Sequence, residues 1–269
     1  MEKGVPIRAL SRGIAVLQAI NRSGTVSMMD IARLSGVPYP TACRLVQTLM
    51  HEGLIEREPA RKHYRPTALV QTLAHGFQGD ARLVAAARPH IVELTRRIGW
   101  PISLATHVGH SMVIRDSTHS MTTLTFSHYY PGYALPILEC AAGHAYLAWL
   151  SDHARQHLID ALKLLPEQPN MNVIEMFETG DLARQLRAQG HAARSFNTFT
   201  LNPGKTSSIA VPILIDGDVI GTLTLPFFVS AIKMAEAVER FLKPLQATAD
   251  AVATEFASLQ SGKTPDSDG

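Results

Sequence analysis

Cysteine is nearly absent: Cys43 and Cys140 are the only two in 269 residues. Two thiols in separate segments build neither a disulfide framework nor a metal-binding spacing, which fits a reducing cytoplasm. Long apolar runs are also missing. None approaches the roughly 20 residues of a membrane span, and no basic-then-apolar leader heads the chain, so no membrane partner is expected. Catalytic signatures are scarce as well. There is no Ser nucleophile elbow. Asn202 to Thr206 resembles the end of a phosphate loop, but position 199 is Phe where that loop needs Gly. His107, His110, His119 and His128 make no metal set, because alternate strand residues share a face and 107 and 110 differ in parity. Neither an enzyme, a cofactor nor a metal is therefore expected. Charged residues make up only 18% and hydrophobic ones 46%, which excludes disorder of the whole chain and leaves material for two domains.

What is present is unevenly distributed. Residues 1–66 hold ten Lys/Arg against five Asp/Glu, and the remainder holds fifteen against eighteen. A basic N-terminal module on an acidic body is suited to meet a polyanion. Within it, Ser27–His51 reads as two short helices. Ser27 and Asp30 make a capping-box-like start with Met28, Ile31 and Leu34 inward, and Ser35-Gly36 is a stop. Pro40 opens the second helix, and Ala42, Leu45, Val46, Leu49 and Met50 form its apolar stripe. Its other side carries Thr41, Arg44, Thr48 and His51, with Tyr39 leading in. Such a hairpin suits a major groove, although an ordinary amphipathic pair would share the pattern. Leu10–Ile20 reads as a preceding helix with Leu10, Ile14 and Leu17 inward and Val16 and Ile20 as further candidates for the same face. Two short strands, 54–57 and 63–65, then flank a turn. Arg61, Lys62 and Arg65 there suit phosphate or minor-groove contact, which makes this hairpin a wing.

Thr67–Phe77 is expected to be a connecting helix, and Gly76 and Gly79 mark a boundary. A long helix over 81–98 is bent at Pro89. Strands are expected at 102–108, 112–116 and 122–127, and a small-residue helix at 140–150. Amphipathic helices are expected at 152–164 and 174–189. Two late strands, 208–215 and 219–225, are joined by Asp216-Gly217-Asp218, a strong hairpin signal. A last helix covers 231–259, and 261–269 reads as a disordered tail. Helices at both ends of antiparallel strands indicate an α+β sensor domain.

The segments RALSRGIAVLQAI, IARLSGVPYPTACRLVQTLMHEGLIER and HYRPTALV resemble the N-terminal half of the IclR family of bacterial transcription regulators. LPILECAAGHAYLAWL and SSIAVPILIDGDVIGTLTL resemble its effector-domain signatures, and the likeness spans residues 5–260. GWPISLATHVGHSMVIRDSTH with LTFSHYYPG is most similar to the subgroup controlling catabolism of hydroxyphenylpropionate and related aromatic acids. The resemblance implies a winged helix-turn-helix over 5–66, a linker helix over 67–79 and a GAF-like effector domain over 80–260. It implies a homodimer, or dimer of dimers, on a pseudo-palindromic promoter site, with an RNA polymerase contact if it activates. By that pattern Tyr39, Pro40, Thr41, Arg44 and Thr48 meet DNA from the recognition helix, and Arg61, Lys62 and Arg65 from the wing. Many members carry Lys-Ser where this chain has Tyr39-Pro40, and a Leu where it has Pro66.

The resemblance also implies effector-pocket positions at Gly143, His144, Thr198, Ser208 and Thr224. Side-chain chemistry adds Arg115, His128 and Tyr133, since an aromatic acid needs a cation and a flat apolar wall. A small aromatic carboxylate is the expected effector. A small aliphatic acid such as glyoxylate is the alternative, and an aromatic-acid enzyme the reading from another class.

Overall fold

The computed structural model describes residues 7–59, 61–73, 81–124, 129–165, 169–194 and 204–260. The chain divides into two units, Met1–Gln78 and Gly79–Gly269.

In the first unit, helices α1 (Arg8–Ser23), α2 (Met28–Ser35) and α3 (Tyr39–His51) pack around Val16, Ile20, Ile31, Ala42, Val46 and Ile55. Ser27 caps α2, its hydroxyl oxygen accepting the Asp30 N–H at 3.2 Å. The Asp30 carboxylate accepts from that same hydroxyl at 2.7 Å, and Ser27 itself lies in a strand. Gly36 ends α2 in the left-handed region at φ 65°, where a Cβ would be strained. Strands β1 (Val26–Ser27), β2 (Ile55–Arg57) and β3 (His63–Pro66) form an antiparallel sheet in the order β1-β3-β2. The wing is thus three-stranded; a two-residue strand leaves no periodicity to read.

One expected face changes. Leu10 and Ile14 of α1 are exposed, and Val16, Ala19 and Ile20 are buried. A Cβ on Gly13 would stand 3.8 Å from the Leu45 side chain of α3, so α1 meets its neighbour along the Gly13 side. Leu34 and Met50 are exposed too. After Pro66, which pairs with Ile55, the Thr67 hydroxyl donates to the Gly53 carbonyl at 2.5 Å. The connecting helix is described only as α4 (Leu69–Thr72); residues 74–80, with Gly76 and Gly79, lie outside the described residues.

The second unit is a six-stranded antiparallel sheet between two helical layers. Its elements are α5 (Ala81–Ile98), β4 (Ser103–Val108), β5 (Ser111–Ser117), β6 (Ala134–Pro136), α6 (Ala141–Trp149), α7 (Asp152–Lys163), α8 (Met171–Glu178), α9 (Asp181–Gln189), β7 (Ala192–Arg194), β8 (Thr206–Ile215), β9 (Asp218–Phe228) and α10 (Met234–Gln260). The order is β6-β5-β4-β9-β8-β7. Asp216 and Gly217 both have positive φ, 51° and 88°, as a two-residue hairpin with right-handed strand twist requires. Helices α5 and α10 cover Leu104, Val211, Leu223, Leu225 and Phe227; α6 covers Ala105, Met112 and Ala210 on the other face. Gly143 lets α6 approach the chain before it, since a Cβ there would lie 1.9 Å from the Ile137 carbonyl oxygen.

Two expectations for this unit are corrected. Residues 122–124 form no strand; the Thr122 hydroxyl donates to the Gly99 carbonyl and accepts the Leu124 N–H, a local turn. Residues 125–128 of that stretch lie outside the described ones. The strand beside β5 is instead β6, which with β7 is only three residues long. The helix expected over 174–189 is two helices, because Gly180 sits at φ 74° between α8 and α9.

Candidate functional site

Two surfaces carry chemistry, one in each unit. On the first, α3 buries Ala42 and Val46 and turns Tyr39, Pro40, Arg44 and Thr48 outward, with Thr41 half-buried. The Thr48 hydroxyl donates back to the Arg44 carbonyl at 3.1 Å. Cys43, one turn along, raises the Tyr39 phenol above its usual pKa through the charge of its thiolate form and a hydrogen bond. This face offers one guanidinium, short hydroxyls and an aromatic ring, a set able to read base edges in a major groove.

The wing adds charge at its tip. Lys62 adopts φ 51°, and the His63 ring meets the Arg61 carbonyl at 2.6 Å, which closes the turn and leaves both basic side chains exposed. Among the described residues Arg44, Arg61 and Lys62 enter no ion pair. Arg65 differs: it faces Glu56 across the ladder and is paired with it at 2.6 Å.

The second surface is a pocket on the α6 side of the sheet, with about 30 Å³ open to the centre of a water-sized sphere inside about 510 Å³ of space that includes open solvent. Ala105, Met112, Ile114 and Leu135 give it an apolar wall; Ser103, Thr206, Ser208 and Thr224 give it hydroxyls. Tyr129 closes one side, backed by Tyr133 with ring centroids 6.3 Å apart. Arg194 is the one formal charge among the described lining residues. Its Nη2 lies 2.6 Å from the Glu139 carboxylate. The Thr224 hydroxyl is buried with no hydrogen-bond partner among the described residues. Such a group is uncommon in a folded chain and is satisfied when a ligand or water enters. Burial pushes the Cys140 thiol up to about 12, so it lines the cavity as a neutral group rather than a nucleophile. Its sulfur caps α6 by accepting the Gly143 N–H at 3.3 Å.

The expected effector residues separate into four groups. Ser208 and Thr224 line the cavity. Tyr133, Gly143 and His144 stand behind its walls. Tyr133 supports Tyr129, and Gly143 provides close packing. His144 donates its Nε2–H to the Leu138 carbonyl at 2.8 Å and packs edge-on to Phe177. Burial lowers its pKa to about 4, so it is neutral and unsuited to hold a carboxylate. Arg115 is not among the residues that line the cavity. Pairing passes from Ala105–Ile114 to Leu104–Asp116, so Arg115 is the extra residue of a bulge. Its Nε donates to Thr106 Oγ1 at 2.8 Å, and Thr106 is on the α5 side, away from the cavity. His128 and Thr198 lie outside the described residues. Sequence reasoning missed Arg194, Tyr129 and Cys140 as lining residues. Arg194 sits in a three-residue strand without periodicity, and only its pairing with Ser208 brings it to the site.

Among the described residues, no group of three or more His, Cys, Asp or Glu side chains could hold a metal ion. No described helix is long and apolar enough to cross a membrane.

Comparison with known proteins covers both units. The profile of the IclR helix-turn-helix domain matches residues 9–59, and that of the bacterial transcriptional regulator IclR C-terminal domain matches residues 78–254. The HTH-type transcriptional regulator XynR of Escherichia coli is 26% identical over 243 residues, covering 89% of this chain and 93% of XynR. A crystal structure of an IclR homolog from Microbacterium hydrocarbonoxydans, complexed with 4-hydroxybenzoate, superposes with a TM-score of 0.63. It is 23% identical and covers 93% of this chain and 99% of that one. The Thermotoga maritima IclR structure has the same TM-score at 17% identity, with 92% and 98% covered. At these identities the structures speak for a shared fold.

Proposed function

The chain belongs to the IclR family of DNA-binding transcription regulators, not enzymes, and from that premise we propose that its C-terminal unit senses a small aromatic carboxylate for a catabolic operon. One observation carries the effector class. The cavity joins an apolar wall of Ala105, Met112, Ile114 and Leu135 to Arg194 and to the unpartnered Thr224 hydroxyl. The wall suits a ring, and a guanidinium with a hydroxyl donor suits a carboxylate. The 4-hydroxybenzoate complex of the Microbacterium homolog supports the same class.

The DNA reading assigns base contacts to Arg44, Tyr39 and the exposed α3 residues, and phosphate contacts to Arg61 and Lys62. A pseudo-palindromic promoter site calls for two copies of α3, hence a homodimer or dimer of dimers. Ile7, Leu10 and Ile14, spaced along one side of α1 and 70%, 62% and 49% exposed, offer apolar surface for such pairing. Repression needs only promoter occupancy; activation adds contact with RNA polymerase. Effector binding acts by favouring one arrangement of the dimer over another.

Thermal unfolding and calorimetry with benzoate, 4-hydroxybenzoate and glyoxylate test the effector class. A true effector at a hundred times its Kd stabilises by about 2.7 kcal/mol. Stabilisation by the aromatic acids alone is expected. Stabilisation by glyoxylate alone would replace the aromatic reading with an aliphatic one.

A further inference from the structure

We propose that Glu139 sets the selectivity of the cavity between charged and neutral ligands, by holding the guanidinium with which an incoming carboxylate would pair. The proposal rests on the cavity being the effector site and adds the residue that tunes it. Arg194 lines the cavity; Glu139 does not, and reaches Arg194 from behind the wall at 2.6 Å. Both side chains are largely buried, 22% and 16% exposed, so water screens the pair weakly. Glu139 is also held from a second direction. Its Oε1 accepts from Asn170 Nδ2 at 3.0 Å, and Asn170 in turn caps α8 by accepting the Val173 N–H at 3.3 Å. The carboxylate is therefore a fixed resident rather than a loose surface acid.

Arg194 lines the cavity, so a ligand there meets the same guanidinium that Glu139 holds. A neutral acceptor, such as an amide carbonyl, meets no opposing charge there. A carboxylate meets Glu139 across the same guanidinium, and like charges at that spacing repel. The acid therefore binds by exchange: it takes Arg194 and loosens Glu139. That exchange also slackens a tie between the start of α6 and β7, which Glu139 and Arg194 span. Glu139 thus weakens acid binding relative to amide binding and couples it to movement of α6.

Calorimetry with benzoate and benzamide on the full chain tests this. In Glu139→Gln the amide oxygen can still accept from Asn170, and the negative charge is gone. The benzoate-to-benzamide affinity ratio should rise about tenfold, which is about 1.4 kcal/mol. A ratio taken on one preparation is insensitive to its folded fraction. Asn170→Ala keeps the charge but removes its tether, and should raise the ratio about threefold, the worth of one hydrogen bond. An unchanged or lower ratio in both variants, with benzoate still bound by the wild-type chain, overturns the role of Glu139 alone. Failure of the wild-type and variant chains to bind either compound overturns the effector site itself, and the proposal with it.

Discussion

Arg65 and Glu56 face each other across the wing ladder, guanidinium to carboxylate at 2.6 Å. Of the three wing cations assigned to DNA, two therefore remain without a matched charge in the strand pair. Arg65 has its charge matched within the strand pair, and Arg61 and Lys62 stand exposed at the tip.

Lys62→Ala should lower affinity for operator and random DNA alike, and flatten the plot of log K against log salt by about one unit. Arg65→Ala should change that slope by less than half as much. Glu56→Gln, which releases Arg65, should strengthen DNA binding. Fluorescence anisotropy titrations across salt concentration measure all three; equal slopes for Lys62→Ala and Arg65→Ala would place Arg65 among the phosphate contacts.

Arg44→Ala should cost about 1–3 kcal/mol in operator binding and relax base preference at one position of each half-site. The effector affinity of the same variant should match wild type. Gel-shift titration against an operator panel, with calorimetry of the effector, separates the two. An unaltered operator affinity would remove Arg44 from the recognition set.

Thr224→Val should act with opposite signs on two quantities. Losing a buried, unpartnered hydroxyl should stabilise the ligand-free chain by about 1 kcal/mol. The same loss should weaken the carboxylate by about tenfold or more, because a donor to it is gone. Thermal unfolding with and without benzoate reads both, and a loss of stability in the ligand-free chain would mean that the hydroxyl is already satisfied.

His144 makes the second unit acid-sensitive. Its imidazole is kept neutral by burial, with a pKa near 4 when folded against 6.5 ordinarily, so the unfolded chain binds the proton better. Stability from this residue is complete above about pH 6.5 and falls as pH drops toward about 4, by up to about 3 kcal/mol. Urea midpoints at pH 7.5 and pH 5 should diverge in the wild-type chain and converge in His144→Asn. A midpoint difference unchanged by that substitution would assign the acid sensitivity elsewhere.

The first unit was the more legible one. Its signals are local: a Ser cap, a left-handed Gly, a Pro in the first helical turn and a basic turn between short strands. Each acts within a few residues, so neighbouring positions reveal it. The face of α1 was harder, because Leu10 and Val16 both lie on apolar stripes of a 3.6-residue period. Only the position of α3 beside Gly13 chose between them.

The cavity of the second unit was partly legible. Ser208 and Thr224 lie on long strands whose alternation could be read, and both line it. The cation could not be found that way. Arg115 looked suitable on a well-marked strand, and a bulge turned it to the α5 side.

The sequence by itself determined the two-unit division of charge, the helix caps, the hairpin at Asp216-Gly217 and the family. All of these follow from composition, nearest-neighbour backbone preferences or ordered motifs. Tertiary structure alone decided which guanidinium enters the cavity and which carboxylate holds it there. Glu139 and Arg194 are separated by 55 positions, and strand pairing with α6 packing brings them to 2.6 Å. Register and bulges depend on partners far along the chain, so no local pattern encodes that meeting.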